Sequence, residues 1–300
     1  MKPHLFALGL LLAPLPSFAQ GAPRLLRFHY VAGQRARYTT RTTQTMPGAL
    51  GTSTTTATQE VETVRVNADG SALQRMRIVS MELDGPMIPP TMRERVTAAM
   101  RGLTLEFTQD ARGRVTARHP VGEVSPELRP VLDGVLESLD QIGAPLPEGP
   151  VAPGATWSER RTIHLTPGPT SLDMNVDATY TLRTHAGTGN AESAVVGVTM
   201  AISTPAGGAT APQGLRMSGS GEATGESTLD LGQGRVGRGQ TQGTMRIQLT
   251  VGGRAVDLDT RFQHEMTRAE GPTPASITPA SAAPSTTPPS GHRGHAPSTR

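Results

Sequence analysis

A chain without cysteine must build any catalytic or metal-binding site from histidine, activated serine, carboxylates or a glycine-rich phosphate loop. Thiolate nucleophiles, thiolate metal sites and disulfides are excluded together. The histidines of the body are His29, His119, His164, His185 and His264, with His292 and His295 near the C-terminus. None forms a helical i, i+4 pair with an acid between, and none falls at zinc-ligand spacing. His29, His164 and His264 lie in strand-like segments, and neighbouring strands would be needed to unite them. The simpler reading is strand histidines at a surface. His292-Arg-Gly-His295 sits in a segment with no preorganised geometry for a metal.

The other motifs fare no better. Ser218-Gly-Ser-Gly221 opens a glycine-rich strand and is not the strand-to-helix turn of a nucleophile elbow. Gly232-Gln-Gly-Arg-Val-Gly-Arg-Gly239 has the look of a phosphate loop, but no helix follows to offer its N-terminus and no Lys-Ser/Thr follows the glycines. Asp133, Glu137 and Asp140 share a helix face, but it is the face opposite the apolar one, so they read as solvated acids. The chain is expected to be non-enzymatic, with no catalytic residues, no metal and no cofactor.

The elements that would position any site are mostly strands. Residues 25–31, 35–46, 52–66, 71–83, 103–108 and 114–118 read as strands in the first half. Asn67-Ala-Asp-Gly70 is a hairpin signal, because Asp-Gly supplies the positive φ of a tight turn. Residues 91–101 form a short helix with Met92, Val96, Ala99 and Met100 on one side. Residues 127–142 form a second and clearer one, with Ser125 as N-cap, Pro126 at the first helical position and Gly143 closing it. Its Leu128, Val131, Leu132, Val135, Leu136, Leu139 and Ile142 recur at helical spacing, so this helix must cover a sheet face. Residues 156–166, 171–184, 194–202, 215–231, 235–251 and 254–268 are the strands of the second half. In the second of these Leu172, Met174, Val176, Ala178, Tyr180 and Leu182 share one parity, which marks a strand with one buried face. Glycines within the later strands permit bends, so the sheet is expected to be strongly curved.

Residues 146–157 hold three prolines, two glycines and the sole tryptophan, Trp157. They join the halves 24–145 and 158–268. Each half needs the other to bury its apolar side, so the joint reads as a rigid crossover within one domain spanning residues 20–270. Lys2, the apolar run from Leu5 to Leu15 and Ser17-Phe-Ala19 read as a signal peptide over residues 1–19. That run is too short and too interrupted by proline for a permanent membrane anchor. Residues 271–300 are Pro, Ser, Thr and Ala without an acid, a composition expected to be disordered. The formal net charge of the chain is +3, and Arg alternates with Asp and Glu, so a nucleic-acid partner is not expected. A periplasmic or secreted bacterial protein fits these features.

Three stretches carry a resemblance: Leu26-Arg-Phe-His-Tyr-Val-Ala-Gly-Gln34 with Tyr38, the Leu146-Pro…Val151-Ala-Pro-Gly-Ala-Thr-Trp157 joint, and Gly219-x-Gly221…Leu229-Asp-Leu-Gly-Gln-Gly-Arg235. Together they resemble a large, loosely related family of exported bacterial proteins of unknown function, many of them lipoproteins. The resemblance implies no activity and no catalytic residues. In architecture the expected sheet is also similar to the carriers of lipoproteins and lipids in bacterial envelopes. The expectation is therefore an α+β, mainly β fold: a large curved, half-barrel-like antiparallel sheet with two amphipathic helices over one face. An apolar ligand such as a lipid or acyl chain would lie in its concavity, facing Leu132, Leu136, Leu139, Met174, Val176 and Tyr180. The alternative is an envelope structural or protein-interaction module with a solid core, whose partner is another envelope protein.

Overall fold

The computed structural model describes residues 22–86, 88–122, 132, 136, 145–165, 172–205, 209–210, 216–251 and 254–269. The expected signal segment, the tail, Leu139, most of residues 127–142 and the Gly252-Gly253 turn lie outside them. The first-half strands are β1 (Arg35–Thr45), β2 (Thr52–Val66), β3 (Ala72–Asp84), β4 (Thr104–Gln109) and β5 (Val115–Pro120), with helix α1 (Pro90–Met100) between β3 and β4. The second half supplies β6 (Thr156–Leu165), β7 (Leu172–Ala186), β8 (Ser193–Ser203), β9 (Ala209–Thr210), β10 (Arg216–Asp230), β11 (Arg235–Val251) and β12 (Arg254–Ala269).

All of them belong to one antiparallel sheet in the order β5-β4-β3-β2-β1-β12-β11-β10-β8-β7-β6, with β9 paired to β10. The fold is mainly β. Neighbours in the sheet are mostly neighbours in sequence, as in a meander; the exceptions are β8 beside β10 and the ladder between β1 and β12, running from Arg37 opposite Ala269 to Thr45 opposite Arg261. That ladder joins the two halves.

Period-two patterning gives the sheet two unlike faces. On one side stand Met76, Leu105, Phe107, Tyr38, Val196, Ala178, Tyr180 and Leu182, all buried. On the other, arginines stand opposite acids: Arg35 and Glu62 at 3.2 Å, Arg75 and Glu106 at 2.7 Å, Arg246 and Asp259 at 2.9 Å, with Arg37–Glu60 and Arg160–Asp177 formed likewise. Each pair is directly opposed in register. Exposed pairs of this kind contribute about 0–1 kcal/mol each, so they set register and solubility more than stability.

The sheet is curled. Eleven strands at about 4.8 Å spacing would measure about 48 Å across if flat. Yet Arg114, at the foot of edge strand β5, lies 3.7 Å from Glu159 on the opposite edge strand β6. Glycines make the crease. A Cβ at Gly243 would lie 2.4 Å from the Glu222 carbonyl oxygen and 2.7 Å from the Ala223 Cβ, and one at Gly221 would lie 2.4 Å from the Thr244 carbonyl oxygen. Here β10 and β11 fold towards each other on the apolar side, where no side chain fits between them.

Residues 25–31 correct the sequence reading. They alternate, with Leu26, Phe28 and Tyr30 buried and Leu25 and Val31 exposed, but they are not a strand of the sheet. The Phe28 N–H donates to the Ala111 carbonyl and the His29 N–H to the Leu231 carbonyl, while Arg24 forms an isolated bridge with Val151. The segment threads between the β4–β5 turn, the β10–β11 turn and the joint, and plugs that end of the curled sheet. Alternation recorded its two-sidedness; its hydrogen bonds go to turns.

The first helix also differs from expectation. Helix α1 packs on β3 but buries only Met100, and Met92, expected on its apolar side, is 56% exposed. It does not cover the sheet as an amphipathic helix would. Of residues 127–142 the described ones are Leu132 and Leu136, both helical. They pack on Met76, Leu105 and Phe107, on the inner side of β3 and β4.

Candidate ligand-binding face

Inside the curl the apolar residues form three clusters. At the plugged end Leu26, Phe28, Tyr30, Leu146, Tyr180, Leu182, Leu229 and Leu231 pack together, with Trp157 against them. The three stretches that carried the sequence resemblance therefore meet in one core. Trp157 stacks on Tyr180 with ring centroids 5.7 Å apart, and its indole N–H donates to the Pro145 carbonyl at 2.7 Å. Arg112 ties the joint down from the opposite edge, donating to the Leu146 carbonyl at 2.7 Å and pairing with Glu148 at 2.8 Å. The second cluster is that of Leu132 and Leu136. The third joins Met174 and Met217 to the partly buried Ile202, Met245, Ile247 and Leu249.

The residues expected to face a ligand are thus divided. Leu132 and Leu136 lie together on β3 and β4, Met174 belongs to the third cluster, and Tyr180 sits in the plugged end beneath Trp157. Val176 is buried on β7 between the last two. The helix does not line the part of the sheet that bears Met174, Val176 and Tyr180 through Leu132 or Leu136. The third cluster's other members were missed, although Met245, Ile247 and Leu249 share one parity along β11, the signal that exposed Met174 and Val176 on β7.

Two concavities flank these clusters. The inner one has a volume of about 70 Å³ and lies between the plug and strands β1 to β5, walled by Phe28, Val61, Phe107 and Met266. Tyr38, Gln59, Gln74, Gln109 and Arg235 bring polar atoms to it. Burial pushes the Tyr38 phenol up; the same desolvation holds the Arg235 guanidinium below its ordinary value, helped by the charge of Arg268. The outer concavity, about 610 Å³, lies on the polar side over β1, β12, β11, β10 and β8. There Thr43, Gln263, Gln242, Thr224 and Thr199 stand opposite one another in successive ladders, so it offers neutral hydrogen-bonding groups, with Arg261 and Glu222 beside them.

The histidines do not converge. His29 is bonded to the β10–β11 turn, His264 is in mid-sheet on β12, and His164 is on the edge strand β6, with β11, β10, β8 and β7 between the last two. His264 faces inward, with Thr42 Oγ1 2.9 Å from its Nδ1, and burial lowers its pKa. His185 lies 2.8 Å from Glu192 in a largely buried pair beside the β7–β8 connection. Among the described residues no group of three histidine, aspartate or glutamate side chains is placed to hold a metal ion, and no helix is long and apolar enough to cross a membrane.

No protein-family model matches the chain, and no curated protein matches it. Among solved structures it is similar to one described as lipid–protein interactions in lipovitellin, at 9% identity and a TM-score of 0.47. That match covers 84% of this chain and spans 27% of the lipovitellin chain. It is also similar to the β domain of the Bordetella autotransporter Brka, at 8% identity and a TM-score of 0.21, covering 80% of this chain and 100% of that one. At these scores neither likeness carries an argument about function.

Proposed function

We propose that this chain is an exported, non-enzymatic binding protein that holds an apolar ligand, a lipid or acyl chain, against the inner side of its curled sheet. The observation that carries the reading is the methionine-rich third cluster. Met174, Met217 and Met245 stand with Ile202, Ile247 and Leu249 on four adjacent strands, β7, β8, β10 and β11, and most of the group is only partly buried. Unbranched, polarisable methionine side chains repack around differing apolar shapes, which suits a ligand surface better than a fixed core. The outward side chains are threonine, serine, arginine and acids, so the apolar side of this sheet faces inward, the reverse of a lipid-facing barrel.

One observation favours the alternative of an interaction module with a solid core. The inner concavity of about 70 Å³ is well below the roughly 300 Å³ of ordinary small-molecule sites. Organic extraction and mass spectrometry of the purified protein, with a titration of Nile red, separate the two. Co-purifying lipid and saturable Nile red fluorescence are expected. An extract free of apolar molecules together with no saturable dye binding refutes the ligand reading.

A further inference from the structure

Five arginines of the outer side pair with the acid opposite them, whereas Arg235 is among the residues that line the inner concavity with Tyr38. The acid opposite it in the β10–β11 register is Asp230, and Asp230 is already paired with Arg268 at 3.1 Å. Among the described residues Arg235 forms no ion pair of its own, and its setting is half-buried. A hydrogen bond from Arg235 Nη1 to the Arg35 carbonyl anchors the guanidinium without neutralising it. An uncompensated charge taken out of water is costly unless an opposite charge meets it.

We infer that the apolar ligand carries a single carboxylate, received by Arg235 and the Tyr38 hydroxyl in the inner concavity, so that the ligand class is a fatty acid and not a neutral lipid. The inference rests on the apolar-ligand reading above and deepens it. Size supports it: about 70 Å³ is far below the roughly 300 Å³ of ordinary small-molecule sites, room for a head group and too little for a chain. Chemistry supports it as well. A planar guanidinium presents paired donors matched to the two oxygens of a carboxylate, and a phenol adds a third donor. Gln59, Gln74 and Gln109 line the same concavity, and Phe28, Val61, Phe107 and Met266 form its apolar walls. The chain leaves past Met266, the wall of the concavity on β12.

Competition against Nile red with dodecanoate and 1-dodecanol tests this, because the two share a chain and differ in the head. At neutral pH, wild type is expected to favour dodecanoate by about tenfold or more, the worth of charge-assisted hydrogen bonds. Arg235→Gln is expected to remove that preference, weakening dodecanoate far more than dodecanol. Arg235→Lys, which keeps the charge without the fork, retains part of it, and Tyr38→Phe narrows it. Equal competition by acid and alcohol in wild type, or a preference that survives Arg235→Gln, overturns the inference and leaves the apolar-ligand reading standing. Failure of wild type to bind Nile red, acid or alcohol overturns both. If circular dichroism shows Arg235→Gln unfolded, the wild-type preference and its partial loss in Arg235→Lys decide.

Discussion

Replacing Trp157 by alanine tests whether the plug and the joint hold the whole curled sheet. The indole stacks on Tyr180, packs against the largest core cluster and donates to the Pro145 carbonyl at 2.7 Å. Truncating a buried aromatic costs about 3–5 kcal/mol. Trp157 is partly exposed, which places the loss at the lower end, about 3 kcal/mol. For a domain of this size each kcal/mol moves the melting temperature by about 2–4 °C, so Trp157→Ala should melt about 6–12 °C below wild type. Trp157→Phe keeps a stacked ring but loses the N–H donor, and should cost about 1 kcal/mol beyond the lost ring area. Far-UV circular dichroism is the appropriate probe, because the substitution removes the sole tryptophan. A single transition shifted as a whole is expected. A loss below about 1 kcal/mol, or two transitions of which only one moves, refutes the idea that the joint ties both halves into one cooperative unit.

Two further perturbations follow from side-chain space and charge. Gly243→Ala drives a methyl into the Glu222 carbonyl and should cost about 3 kcal/mol by overpacking, whereas Gly237→Ala, whose nearest neighbour would be 3.5 Å away, should change stability by less than about 1 kcal/mol; equal melting temperatures for the two variants would remove the crease as their explanation. His264 titrates below the ordinary imidazole value of 6.5 because burial penalises its charged form, so the unfolded chain binds its proton first. Its contribution to stability is complete above pH 6.5 and is lost as the pH falls from there, and His264→Gln should flatten the decline in melting temperature between about pH 7.5 and 5. A His264 resonance titrating at or above 6.5 would contradict this.

Strands such as β7 were legible because one side is apolar and the other polar, and threonine-rich stretches bounded by turn residues marked others. The patterning over residues 52–66 and 235–251 marks the same bounds that β2 and β11 show. The same signal misled at residues 25–31, since alternation reports that a segment has two unlike sides and says nothing of where its N–H groups go. Helical spacing at Met92, Val96 and Met100 misled differently, because α1 buries only Met100, in its last turn. At the candidate site the inward parity of Met174, Val176 and Tyr180 was readable within β7. Their separation from Leu132 and Leu136 was not, because it depends on strand order. Tyr38 and Arg235 belong to separate stretches of sequence, and only the β1-β12-β11 order brings them to one concavity.

That strand order also dictates how the molecule must be made. Every other ladder between the long strands joins segments close in sequence, so the hairpins can form as soon as they are synthesised. The β1–β12 ladder pairs Arg37 with Ala269, and its loop-closure entropy is met only when nearly the whole body is present. Until then β1 on one meander and β11 on the other present rows of unpaired N–H and C=O groups, the template on which strands of different molecules pair. A chain truncated before Arg254 retains both open edges permanently and should precipitate on refolding. Completion of β12 thus closes both meanders at once, and the interval before it is when their open edges are exposed to pairing between molecules.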